Sequence, residues 1–120
     1  MTNEKTLNEA ELKNFTGSEH WYRINRSILC TDGAKYVAET GGAYWLLGEI
    51  ALSQAFEKKV AAEEFQVWVL KVNPDQTARL KCEDGNGHTV YSKKIPWTDF
   101  PLPEITLLYS KNAIYLPSEY

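Results

Sequence analysis

The stretch EFQVWVLKVNPDQTARLKCEDGNGHTVYSKKI, Glu64 to Ile95, decides the fold class. At Glu64 the apolar period changes from that of a helix to that of a β-strand. EFQVWVLKVN places Phe65, Val67 and Val69 on one face and Trp68, Leu70 and Val72 on the other. Both faces are apolar, so the strand is expected at the centre of a sheet. Asn73-Pro74-Asp75 has turn composition. TARLKCE then alternates Ala78, Leu80 and Cys82 with Arg79, Lys81 and Glu83. That is the pattern of a half-buried antiparallel strand with the first set inward. Asp84-Gly85-Asn86-Gly87 is a hairpin signal, and HTVYSKKI returns as the next strand.

Towards the C-terminus comes IPWTDFPLP, Ile95 to Pro103. Pro96, Pro101 and Pro103 lack backbone donors, which excludes the middle of a sheet. A rigid connector is expected, in which Asp99 accepts hydrogen bonds from its own turn and Trp97 and Phe100 bury their rings. ITLLY (105–109) and AIYL (113–116) read as strands joined by a turn at Ser110-Lys111-Asn112, and PSEY closes the chain.

Towards the N-terminus the apolar spacing becomes helical. Thr6 opens TLNE, a capping-box pattern with Glu9. It predicts a short helix to about Asn14, with Leu7, Leu12 and Phe15 buried. HWYRI (20–24) suits a short strand. SILCTDG (27–33) leads into a helix over 34–40, capped by Thr31 or Asp32 and broken by Gly41-Gly42. AYWLLGEIALSQAFEKK predicts the main helix over 43–58. Leu47, Ile50, Ala51 and Gln54 follow helical spacing, and Tyr44, Leu46 and Phe56 widen the apolar arc. So wide an arc predicts a helix covered on more than one side. The expected fold is α+β: N-terminal helices packed on an antiparallel β-meander of four to six strands. A single domain is expected over 1–120, frayed over 1–5, mainly helical over 6–60 and mainly strands over 64–120.

The 120 residues are 43% hydrophobic, enough to bury a core without metal or disulfide staples. The net charge of −3 comes with scattered Lys and Arg, so no basic stripe marks a nucleic-acid binder. The pair Lys58-Lys59 is ringed by Glu57, Glu63 and Glu64. MTNEKTLNEAELKNF is too polar for a signal peptide. AYWLLGEIAL is too short to span a membrane and contains Glu49. Cys30 and Cys82 imply no disulfide framework. A cytoplasmic protein with two reduced thiols is the expectation.

Five stretches together carry a resemblance: TDG (31–33), AYWL (43–46), CEDGNG (82–87), TDFPL (98–102) and the terminal LPSEY. With these the chain resembles an uncharacterised family of small prokaryotic proteins, found in bacterial genomes and on mobile elements. The likeness runs from about Leu12 to the end. It implies a complete single-domain member and brings no activity, ligand or catalytic residue with it.

Each candidate site has a local structural role to weigh against it. His20, Cys30, Cys82 and His88 supply four zinc ligands but no close CxxC or HxxxH pair, so no zinc and no cofactor is expected. Cys30 lies near a helix start, which favours a thiolate, but Asp32 two residues on disfavours it. Asp32, Glu83, Asp84, Asp99 and Glu119 would pair only if loops at one end of the sheet met. Their local roles are capping and turn-making. TGG and DGNG lack phosphate-loop spacing. The aromatics Trp21, Tyr22, Tyr44, Trp45, Trp97, Phe100, Tyr115 and Tyr120 exceed what a core of this size needs, and such residues concentrate at interfaces.

The leading expectation is a non-catalytic protein-interaction module, in homodimeric form or with an unidentified protein, using aromatic and β-edge surface. Its candidate residues are Trp21, Tyr44, Trp45, Trp97, Asp99, Phe100 and Tyr120. One alternative is a small enzyme or metal-binding domain built on the acidic loop residues. Another is a mobile-element accessory protein that inhibits a host defence system. Nucleic acid and membrane are not expected partners.

Overall fold

The computed structural model describes residues 7 to 120. In chain order the elements are α1 (Glu9–Leu12), β1 (Trp21–Arg23), β2 (Leu29–Thr31), α2 (Asp32–Thr40), α3 (Tyr44–Phe56) and α4 (Lys58–Ala61). Then follow β3 (Phe65–Val72), β4 (Ala78–Glu83), β5 (Thr89–Ile95), β6 (Glu104–Ser110), β7 (Ala113–Tyr115) and a closing 3-10 turn, Pro117–Glu119. The fold is α+β, as expected.

The seven strands of the described residues join one sheet in the order β1-β2-β7-β6-β3-β4-β5. Neighbours are antiparallel except β2 and β7, which run parallel. The strand count exceeds the four to six expected because β1 and β2 come from the N-terminal half. The meander ends at β5. IPWTDFPLP carries the chain back, and β6 pairs on the far side of β3. Val72 N–H donates to the Pro103 carbonyl at 2.8 Å where the connector rejoins the sheet.

As expected, β3 is central, lying between β4 and β6. Its inward face is Gln66, Trp68 and Leu70, all at most 1% exposed. Across the register, Leu80, Cys82, Leu107, Tyr109, Ile114 and Cys30 join this face. Val37, Leu47 and Ile50 from the helices complete a single core with them. Phe65, Val67 and Val69 lie half-buried on the opposite face. Gln66 is a polar group at the heart of this core. Its Nε2 donates to the Val60 carbonyl at 2.8 Å and the Gln54 Oε1 at 2.9 Å. Its Oε1 accepts from Gln54 Nε2 at 2.7 Å and Trp68 Nε1 at 2.9 Å. A fully bonded buried amide rigidifies its surroundings, here tying α3 and α4 to β3.

Two of the helix expectations, the length and the coverage of α3, need correction. Asn8 caps α1, its Oδ1 accepting from Ala10 N–H at 2.9 Å, while the capping box expected from Thr6 lies outside the described residues. The main helix stops at Phe56 because Glu57 is extended, at φ −114° and ψ 103°, before α4 starts. Among the described residues, only one side of α3 is covered. Leu46, Leu47, Ile50 and Ala51 are buried, whereas Tyr44, Leu52 and Phe56 are exposed.

Candidate functional site

The TDG and LPSEY stretches meet at the start of α2. Thr31 is the N-cap, its Oγ1 accepting from Ala34 N–H at 3.2 Å. The 3-10 turn after Leu116 swings Glu119 onto the same helix end. Glu119 Oε2 accepts from Gly33 N–H at 3.1 Å, and Oε1 accepts from Thr31 Oγ1 at 2.6 Å and Leu116 N–H at 2.9 Å. A carboxylate at a helix N-terminus satisfies free donors and complements the helix dipole. Asp32, beside it, accepts from Tyr22 Oη at 2.9 Å and Glu19 N–H at 3.1 Å, with His20 Nδ1 at 3.8 Å. Desolvation pushes the Asp32 carboxyl up, but the hydrogen bonds from Tyr22, Glu19 and His20 outweigh it and hold the pKa below the usual value.

Of the five candidate carboxylates, the structure thus brings Asp32 and Glu119 to one helix end. Asp84 makes the β4–β5 turn, accepting at Oδ1 from Asn86 N–H at 2.8 Å and His88 N–H at 2.9 Å. The His88 and Asn86 backbone bonds hold its pKa below the usual range. Glu83 ends β4. Asp99 is exposed and, among the described residues, takes no hydrogen bond. Its expected bonding role belongs to Thr98, which is buried. Thr98 Oγ1 accepts from Phe100 N–H at 3.2 Å, and Thr98 N–H donates to the Gln76 carbonyl at 2.8 Å. Phe100 is buried, as expected, but Trp97 is 63% exposed.

The four proposed zinc ligands lie in different places. Cys30 and Cys82 are in the core, His20 is beside Asp32, and His88 is on the hairpin turn. Among the described residues no group of three His, Cys, Asp or Glu side chains is placed to hold a metal ion. Burial pushes the Cys30 thiol up to about 11 and the Cys82 thiol up to about 12. The helix start therefore does not activate Cys30, because desolvation of a thiolate there dominates.

On the sheet face away from the helices lies an open groove of about 1280 Å³. Cross-strand register builds its floor from Leu29, Ala113, Ser110 and Phe65. It extends round the strand ends as far as Gln54 and Ala61. Trp21 and Tyr120 rise from it and the buried Tyr115 lines it, with Tyr120 packed on Phe65 at 5.6 Å and on Tyr115 at 6.2 Å between ring centroids. Trp21 is 54% and Tyr120 84% exposed. Glu63, Glu64 and Glu119 stand around it against a single Lys111. Of the aromatic candidates, only Trp21, Tyr115 and Tyr120 share this groove. Tyr44 is on α3, Trp97 on the connector, and Trp45 is half-buried against the core. Phe65 was missed as a site residue because its alternation reads as core.

Residues 6–120 match a family described as Family of unknown function (DUF6876). The chain belongs to this family. No curated protein and no solved structure matches it. The family match takes in all five quoted stretches. Within that span, TDG and LPSEY have a structural explanation in the Glu119 contacts, as does EDGNG in the Asp84 turn.

Proposed function

We propose that this family member is a non-catalytic protein-interaction module whose open sheet face holds a partner segment. One observation carries the reading: two strongly exposed aromatics, Trp21 and Tyr120, line the same groove on a sheet face the helices leave bare. Large exposed apolar surface with a polar rim marks a binding site. The surrounding carboxylates favour a segment that presents Arg or Lys, whose cation stacks on an aromatic face. The chemistry nearby supports binding over catalysis. Both thiols are buried, and Asp32 and Glu119 are engaged in bonds that hold α2.

The outer edge of β5 is the other surface expected to pair. It carries Lys93 and Lys94, the kind of residue that keeps edge strands from associating.

The test is affinity capture from a bacterial lysate, the source suggested by the resemblance to small prokaryotic proteins. The wild-type chain is compared with a Trp21→Ala/Tyr120→Ala double variant. A protein retained by the first and lost by the second is the expected result. Capture that is equal for both refutes the groove as the binding site.

A further inference from the structure

The outer half of α3 departs from what a solvent-facing helix should be. Its exposed arc runs through Tyr44, Trp45, Gly48, Leu52 and Phe56, with Ala55 and Glu49 beside them. The one charge in this arc, Glu49, is already paired with Lys93 at 2.7 Å. Tyr44, Leu52 and Phe56 are 53%, 56% and 77% exposed. A helix that is apolar around its whole circumference is ordinarily buried on all sides, and among the described residues one side here lacks its cover.

We propose that a second copy of this chain supplies the cover, through an antiparallel α3–α3 contact with its twofold axis at Gly48. Residues four apart form a ridge, and two such ridges interdigitate at a crossing of about −50°. Gly48 sits in the middle of the ridge, with open space where a side chain would project. Its bareness lets the helices approach closely. Antiparallel pairing about Gly48 sets Tyr44 of one protomer against Leu52 of its partner, twice over. The absence of unpaired charge leaves nothing on the ridge to repel its own copy, unlike the carboxylate-rimmed groove. At roughly 150–250 Å² for a full aromatic side chain, the exposed parts of Tyr44 and Phe56 come to roughly 260 Å² per protomer, and Leu52 adds to them. Trp45 and the helix backbone at Gly48 bring the contact towards the ~600 Å² per partner of the smallest specific interfaces. A weak, reversible dimer follows. The ridge shares none of its residues with the groove, which α3 reaches only at Gln54.

Sedimentation of the wild-type chain and a Leu52→Arg variant tests this, alongside oxidative cross-linking of Gly48→Cys and Asp99→Cys. Both native thiols are buried, so the introduced cysteine is the reactive one. A dimer is expected at high micromolar concentration for the wild type, weakened roughly tenfold or more in Leu52→Arg. A covalent dimer is expected from Gly48→Cys and not from Asp99→Cys. Circular dichroism of Leu52→Arg confirms that the exposed substitution leaves the fold intact. A wild type that stays monomeric overturns the proposal, as does a dimer indifferent to Leu52→Arg or cross-linking equal at both cysteines.

Discussion

A Cβ added to Gly33 would stand 2.5 Å from Oε1 of Glu119, so a side chain at one position displaces the carboxylate of the other. That carboxylate is held by Thr31, Gly33 and Leu116. Gly33→Ala is therefore expected to cost about 2 kcal/mol, by breaking charge-assisted hydrogen bonds. Glu119→Ala should cost about as much through the same bonds. The double variant should fall short of the sum by about 2 kcal/mol, because both changes remove one interaction. Chemical denaturation of the four proteins measures this coupling. Strict additivity would show that Gly33 and Glu119 act independently.

The two cysteines make a prediction about pH. Their folded pKa values, about 11 for Cys30 and about 12 for Cys82, lie above the ordinary 9.0. Above pH ~9 the unfolded chain releases thiol protons that the folded chain keeps. The stability they contribute is whole below that pH and is lost as pH rises towards the folded values. Melting temperature should fall over this window, and less steeply in a Cys30→Ala/Cys82→Ala variant. Native thiol labelling at neutral pH should be slow, and fast in denaturant. Rapid labelling of the folded protein would mean that the thiols are accessible.

Within IPWTDFPLP the structural weight rests on Thr98 and Phe100. Thr98→Ala should cost about 1–2 kcal/mol, since it leaves a buried N–H without its acceptor. Asp99→Ala and Trp97→Ala, both at exposed positions, should stay within about 0.5 kcal/mol of wild type. Denaturant midpoints compare the three directly. A larger loss for Asp99→Ala than for Thr98→Ala would reverse the assignment.

Much of this was legible in local pattern. Period-two alternation identified β3 and β4, and Asp84-Gly85-Asn86-Gly87 the hairpin that returns as β5. β2 escaped because it is three residues long and one of its two neighbours, β7 at Ala113 and Ile114, lies far along the chain. Nothing local marks such a pairing. The return of β6 to the far side of β3 is likewise a matter of long-range register. Burial at single positions was harder still. Trp97 and Phe100 have similar apolar character, yet Gly41 leaves room for the Phe100 ring while Trp97 stays in solvent. The groove was half visible. Trp21 and Tyr120 stood out as surplus aromatics, but Phe65 and Leu29 reach it only through strand pairings.

The central claim is that the bare sheet face, and not merely any exposed aromatic, receives a partner protein. Trp21 and Trp97 have similar exposure and lie in different places, so they form a matched pair. Each is replaced in turn by a photo-cross-linking aromatic residue, the chain is irradiated in its native cell, and covalent products are compared. The account predicts a discrete adduct with another protein from position 21 and none from position 97. Adducts from 97 alone, or equally from both, would contradict it.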